Sequence, residues 1–167
     1  MKHETFNLLM WQQDQFAHDK RNHSDIICLH KNDRLKHYGL HFAKYIGRMA
    51  RGSREAISTE RTIVDCGLVS LSAANTLCQN LNEVEFLYTA ASKDAEALLT
   101  FADAAGRFSD ACEKIDHMEE FISIARVANT EIFQWVMQQS LVYNLNLADE
   151  MEKRRKFLAE RQFFIGL

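Results

Sequence analysis

The sequence contains no proline among its 167 residues and only six glycines. Proline is favoured in turns and loops, and a sheet protein of this length would need many of them. Its absence therefore favours a few long helices joined by short connections. The hydrophobic fraction of 47% is that of an ordinary globular protein. We expect a single helical domain over residues 1–167, which is long enough to bury a sizeable core.

Apolar residues recur every three or four positions along most of the chain, as in amphipathic helices. Where the periodicity fades, at 21–31, the sequence predicts a loop. Gly106 is expected to end one helix, and a later apolar stripe from 108 to 136 is expected to break near 129–130. The predicted fold is all-α, a compact bundle of five or six helices. The other predicted helices cover 5–20, 32–51, 58–80, 92–105 and 145–162.

Three of these helices carry more specific expectations. The helix over 58–80 has so many apolar and small residues that little room remains for a polar face, which predicts a central position in the bundle. Ser92 is expected to cap the start of the following helix. In the last helix, spacing of four residues predicts surface ion pairs between Glu150 and Arg154 and between Glu152 and Lys156.

Composition also excludes several classes of protein. The net charge is −3, whereas proteins that bind nucleic acids without sequence preference usually have a strongly basic surface. We therefore expect no general nucleic-acid binding. The four cysteines form no C-x-x-C pair, which favours a reducing compartment over a disulfide framework. The first residues lack the apolar run of a signal peptide, and no apolar stretch approaches the roughly 20 residues that cross a bilayer. We therefore expect a cytoplasmic protein without a membrane partner.

A basic strip runs along one side of the predicted helix over 32–51. Its members recur by threes and fours, which places them on one face at 3.6 residues per turn. The strip lies roughly 120° from the centre of the apolar face, so it flanks the packed side and could line a cleft between helices. Arginine and lysine suit phosphate or carboxylate ligands, whereas the alternative is a solvated face. The strip consists of Arg34, His37, His41, Lys44, Arg48 and Arg51.

Two other groups of residues raise the question of a metal site. His37 and His41 are four apart and could share a metal from one helical face. No third ligand follows at a diagnostic spacing, so we expect no metal there. A second strip projects away from the apolar stripe of its own helix, which predicts a solvated face. This acidic strip consists of Asp110, Glu113, His117 and Glu120.

Two segments of the chain resemble the core of a known family. Residues 40–52 read LHFAKYIGRMARG, and residues 62–71 read TIVDCGLVSL. They are similar to the paired helices of the MazG-like all-α nucleotide pyrophosphohydrolases, in which an apolar–Ala–Glu–Glu–apolar–Gly–Glu–apolar–Ala helix precedes a helix with a Glu-x-x-Asp element. Residues 11–13, WQQ, also fit the family. The resemblance covers about the first half of the chain and implies a MazG-like bundle that self-associates as a homodimer.

The departures from the family pattern concern its acidic residues. Lys44 and Tyr45 stand where the family has paired glutamates, Arg48 stands at the third acid and Thr62 at the fourth. Only Asp65 agrees. The family's acids hold magnesium against the substrate's phosphates, and lysine or arginine cannot ligate magnesium because both carry only donors. The resemblance thus implies that the usual metal chemistry is lost, with either direct anion binding or a buried Asp65–Arg48 ion pair in its place.

Three functions stay open at this point. The first is a divergent MazG-like protein that binds a nucleotide or another phosphate-bearing anion and need not be catalytic. The second is a helical interaction or structural module without a small-molecule site. The third is an active hydrolase that holds magnesium with Glu113, Asp116 and Glu120. It is the only one of the three functions that requires a cofactor. For the first function, the anion site would consist of His37, His41, Lys44, Arg48, Arg51 and Asp65.

Overall fold

Six long helices and one single helical turn make up most of the computed structural model, which describes residues 7–87, 89 and 95–162. Those residues form no strand, so the prediction of an all-α bundle is confirmed. The predicted cap at Ser92 lies outside the described residues. In chain order the helices are α1 (Leu8–Asn22), α2 (Ser24–Ile27), α3 (Lys31–Arg51), α4 (Thr59–Thr76), α5 (Ala95–Asp116), α6 (Ile122–Val142) and α7 (Leu147–Glu160).

Helix α4 is the centre of the bundle, as its composition predicts. It packs against α1, α3, α6 and α7, and most of its residues are buried. Gly67 permits a close approach of two of these neighbours. A Cβ atom at this position would lie 3.2 Å from Val136 Cγ1 and 3.5 Å from Met151 Sδ. The small residues of α4 therefore let α6 and α7 pack directly against it.

Helix α5 continues through Gly106, so the predicted break at that residue is wrong. Phe101 and Phe108 on either side of Gly106 are fully buried. One glycine costs a helix only about 1 kcal/mol relative to alanine, which is less than the hydrophobic contribution of two buried phenylalanines at about 1.5–3 kcal/mol each. Packing of the flanking residues therefore outweighs the local propensity of glycine.

The predicted break near 129–130 is also wrong, because α6 runs without interruption from Ile122 to Val142. Asn129 is fully buried in this helix, where its side chain donates to Ser70 O at 3.1 Å and accepts from Ser70 Oγ at 2.8 Å. Tertiary partners satisfy its amide inside the helix. The actual break falls between α5 and α6, where Met118 adopts a left-handed backbone conformation with φ of 57°.

The region predicted as a loop at 21–31 contains the short helix α2. Within the described part of the chain, no helix is both long and apolar enough to cross a membrane.

Candidate anion-binding cleft

A cleft of about 480 Å³ opens where α3 and α4 face α1, α2 and α7. Helix α4 supplies one wall through residues 65, 68, 69 and 72, whose spacing places them on a single face. Both polar and apolar side chains line the cleft, and His37, His41 and Lys44 of α3 are among the polar ones. Its apolar lining comes from Ile26, Ile27, Ile57, Leu68, Val69 and Leu158.

The basic strip of α3 divides between this cleft and the outer surface. Arg51 does not line the cleft; its Nε donates to Glu55 Oε2 at 2.7 Å near the end of α3. Lys44 is exposed and lines the cleft, whereas Arg48 is largely covered, with 17% of its side chain exposed. Of the six residues predicted for the anion site, the structure brings together His37, His41, Lys44, Arg48 and Asp65.

Asp65 is the centre of the charged end. Ser58 caps α4 by accepting from Arg61 N at 3.1 Å, and Arg61 and Asp65, four residues apart, then share one side of the helix. Arg154 Nε of α7 donates to Asp65 Oδ1 at 2.6 Å. Arg61 Nε lies 3.4 Å from the same oxygen, and Arg48 Nη1 lies 3.4 Å from Oδ2. Three guanidinium groups therefore surround one carboxylate.

Arg61 and Arg154 are the functional candidates that the sequence did not indicate. Their guanidinium carbons also lie 5.6 Å and 5.2 Å from the centre of the Phe157 ring, within cation–π range. The predicted pair between Glu150 and Arg154 is wrong, because Glu150 accepts from Lys153 instead at 2.7 Å. The predicted pair between Glu152 and Lys156 is present, at 2.6 Å.

The charged end of the cleft carries more positive than negative charge. Arg48, Arg61 and Arg154 share the single carboxylate of Asp65, and only 11% of the Arg154 side chain is exposed. Arg154 Nη1 is buried and has no hydrogen-bond partner among the described residues. Buried donors are nearly always paired in folded proteins. This donor is shielded from the cleft, so it is the unbalanced charge of the three arginines that is complementary to an anion.

The two histidines of the strip form a hydrogen-bonded chain that leads to Lys44. Lys44 Nζ lies 2.9 Å from His41 Nδ1, and His41 Nε2 lies 3.1 Å from His37 Nε2. Because an ammonium group only donates, His41 must accept through Nδ1 and donate through Nε2. Burial and the neighbouring charge of Lys44 lower the pKa of His41 to about 4 and also lower the pKa of His37. Both rings are therefore neutral near pH 7.

At the other end of the cleft, a second carboxylate makes hydrogen bonds only with neutral side chains, while the charge of Arg155 acts on it from a greater distance. Asp19 of α1 accepts from Gln15 Nε2 at 2.9 Å and from Ser72 Oγ at 2.5 Å. Burial raises the pKa of Asp19, although both hydrogen bonds oppose this shift. Among the described residues, Asp19 makes no ion pair. The two ends of the cleft thus differ in charge and in hydrogen-bonding capacity.

The residues considered for a metal do not converge in the described structure. The rings of His37 and His41 contact each other, and no group of three His, Cys, Asp or Glu side chains among the described residues is arranged to hold a metal ion. Of the acids considered for the hydrolase function, Asp116 pairs with Lys36 and Glu120 accepts from Ser123. The acidic strip is exposed, as predicted for a solvated face.

Comparison of this chain with protein-family models, with curated proteins and with solved structures gives no match. The similarity of residues 40–52 and 62–71 to the MazG-like family therefore stays a prediction. The self-association that the similarity implies stays a prediction as well.

Proposed function

We propose that this protein binds a phosphate-bearing organic anion, such as a nucleotide, in the cleft between α1, α3, α4 and α7. The observation that carries the proposal is the cluster of Arg48, Arg61 and Arg154 around the single carboxylate of Asp65. Arginine can donate two parallel hydrogen bonds to a phosphate or carboxylate. A ligand phosphate would balance the excess positive charge of this cluster.

The size and lining of the cleft support an organic ligand over a simple inorganic ion. Binding sites for small molecules typically measure about 300–1,000 Å³ and combine apolar walls with a few polar groups. This cleft measures about 480 Å³ and has aliphatic side chains beyond the arginine cluster. A phosphate ion would engage only the charged end, whereas a nucleotide would also contact the apolar wall.

In this proposal the chain is a divergent MazG-like protein that contacts phosphate directly. Arg48 and Lys44 occupy positions where the resemblance places acids that hold magnesium, and both line the cleft. Direct cationic contacts would replace the bridging metal. We infer binding, without magnesium-dependent hydrolysis, as the role of the cleft.

The test is a titration of pyrophosphate and nucleoside triphosphates, followed by calorimetry, in EDTA and in magnesium. We expect binding in EDTA, and at least a tenfold loss of affinity in Arg48→Gln. Lys44→Gln should lose less, because Lys44 is exposed and does not contact Asp65. Lys153→Gln is the matched control, since Lys153 lies beside Arg154 on α7 but pairs with Glu150 at the surface.

Two results would contradict the proposal. Binding and phosphate release that occur only with magnesium would favour the hydrolase function. A lack of response to every phosphate compound would favour a helical interaction module.

A further inference from the structure

The end of the cleft opposite the arginine cluster is formed by Gln15 and Asp19 of α1 and Ser72 of α4. Ser72 lies seven residues after Asp65, so the two share one face of α4 and are separated by about 10 Å along its axis, at roughly 1.5 Å per residue. Leu68 and Val69 lie between them on the same wall. The cleft therefore has two polar ends, and between them its α4 wall is apolar for about two helical turns.

The hydrogen bonds at this end leave acceptors unused. Gln15 Nε2 donates to Asp19 Oδ1 at 2.9 Å and to Ser72 Oγ at 3.2 Å. Ser72 Oγ in turn donates to Asp19 Oδ2 at 2.5 Å. Gln15 Oε1 is buried without a partner among the described residues. The carboxylate of Asp19 accepts two hydrogen bonds here, whereas its oxygens offer about four acceptor positions.

Burial makes these unused acceptors significant. Gln15 and Asp19 are 4% and 6% exposed, so water reaches them poorly. An unpaired acceptor in such a position costs free energy that a bound donor would recover. The opposite end has the reverse character, because three guanidinium groups share one carboxylate there. The cleft is thus complementary to a molecule with acceptors at one end and a donor at the other.

We propose that Asp19 selects, among organic phosphates, those that carry an N–H or O–H donor at the end remote from the phosphate. This inference rests on the proposed function, because the phosphate must first be bound by the arginine cluster. The selected ligand has an apolar or planar body that spans the distance from Asp65 to Ser72. Asp19 is the acceptor, and Gln15 holds the carboxylate in position through Nε2.

A matched pair of ligands tests this selection. Adenosine 5′-monophosphate has an amino group at the end remote from its phosphate, and purine riboside 5′-monophosphate lacks that group. We expect the wild-type protein to bind the amino compound roughly tenfold more tightly, which corresponds to about 1.4 kcal/mol. Calorimetric titration of both compounds measures the ratio, and pyrophosphate is titrated in parallel as the ligand that reaches only the arginine cluster.

Asp19→Asn is the informative variant because it replaces one acceptor oxygen with a donor and keeps the size of the side chain. We expect the ratio of the two affinities to fall below about twofold, while pyrophosphate still binds. Asp14→Asn is the control, since this substitution makes the same change of charge at an exposed residue of α1. It should leave the ratio unchanged.

The possible outcomes separate this inference from the function on which it rests. Equal affinities of the wild-type protein for the two nucleotides, or an unchanged ratio in Asp19→Asn, would overturn the selection. Binding of pyrophosphate without binding of either nucleotide would also overturn it and leave phosphate binding standing. If none of the three compounds binds, both proposals fail.

Discussion

The wall of the cleft and the outer face of α5 both carry ionisable side chains at helical spacing, but their surroundings are opposite. On the cleft wall, Asp65 is 9% exposed and is contacted by three arginines from three helices. On α5, Glu113 and Asp116 are exposed, and each pairs with one basic side chain at the surface. The difference comes from what packs opposite each helix. Spacing alone does not distinguish a ligand site from a solvated face.

The largest contrast is expected from removing one carboxylate in each region. Asp65→Asn leaves three neighbouring guanidinium groups without their counterion, which should lower the free energy of unfolding by on the order of 3 kcal/mol. Asp116→Asn removes an exposed pair with Lys36 and should shift the urea midpoint too little to resolve. Urea unfolding of the two variants measures both effects.

Added phosphate sharpens this contrast. It should restore part of the stability lost in Asp65→Asn, because a phosphate can occupy the position of the missing carboxylate between the arginines. No such recovery is expected for Asp116→Asn. Equal destabilisation of the two variants would mean that the arginine cluster is as well solvated as the face of α5.

A smaller contrast is expected from pH. The pKa of His41 falls from about 6.5 to about 4 on folding, because of burial and the charge of Lys44. The unfolded chain therefore takes up a proton that the folded chain does not, and stability is lost as pH falls from about 6.5 towards 4. One such proton contributes a slope of up to about 1.4 kcal/mol per pH unit. His41→Gln should flatten this part of the stability profile.

The comparison for the pH effect is His117→Gln, in the turn that follows α5. Its exposed ring lies 3.4 Å from Glu113, and its removal should leave the acid-induced loss of stability in place. Urea midpoints measured at several pH values give the profiles. A profile of His41→Gln that coincides with the wild-type profile between pH 4 and 6.5 would contradict the expectation.

The glycines of α4 and α5 provide a third contrast. Gly106→Ala on α5 should stabilise the protein by about 0.5–1 kcal/mol, because a Cβ atom there meets nothing within 4 Å and alanine favours the helix. Gly67→Ala on α4 should not show this stabilisation, since its Cβ would lie 3.2 Å from Val136 Cγ1. Thermal unfolding ranks the two variants, and a more stable Gly67→Ala would show that α6 moves away easily.

The smallest expected effect lies within α3 itself. Arg51 belongs to the same basic strip as Arg48 but pairs with Glu55 outside the cleft. Arg51→Gln should therefore leave the affinity for pyrophosphate unchanged, whereas Arg48→Gln weakens it. A loss of affinity in Arg51→Gln comparable to that of Arg48→Gln would extend the site beyond the cleft.

Local pattern predicts most of the fold. The apolar spacing that predicts the helix over 32–51 agrees with α3, which spans Lys31–Arg51. The errors at Gly106 and Asn129 share one cause, because both residues look like helix breakers in isolation and both are held in helices by tertiary packing. The strength of that packing depends on distant parts of the chain, such as Ser70 for Asn129.

Only part of the candidate site could be identified from the sequence. The basic strip on α3 and Asp65 could be identified from spacing and from the MazG-like resemblance. Arg154 could not, because it lies 89 residues after Asp65 and its distance of four from Glu150 indicated a surface pair. A possible signal was that Lys153 competes for the same glutamate. If Lys153 pairs with Glu150, Arg154 is left to pair elsewhere. The sequence does not show which helix Arg154 faces.

Asp65 has a consequence for any anion that enters the cleft. Because Asp65 is part of the same chain, its carboxylate is held beside the arginines at a high effective concentration. Chloride or sulfate from the solvent must compete with this permanent occupant and gains nothing elsewhere. Under the proposed function, a molecule that also makes contacts farther along the cleft therefore has an advantage over a monovalent ion such as chloride.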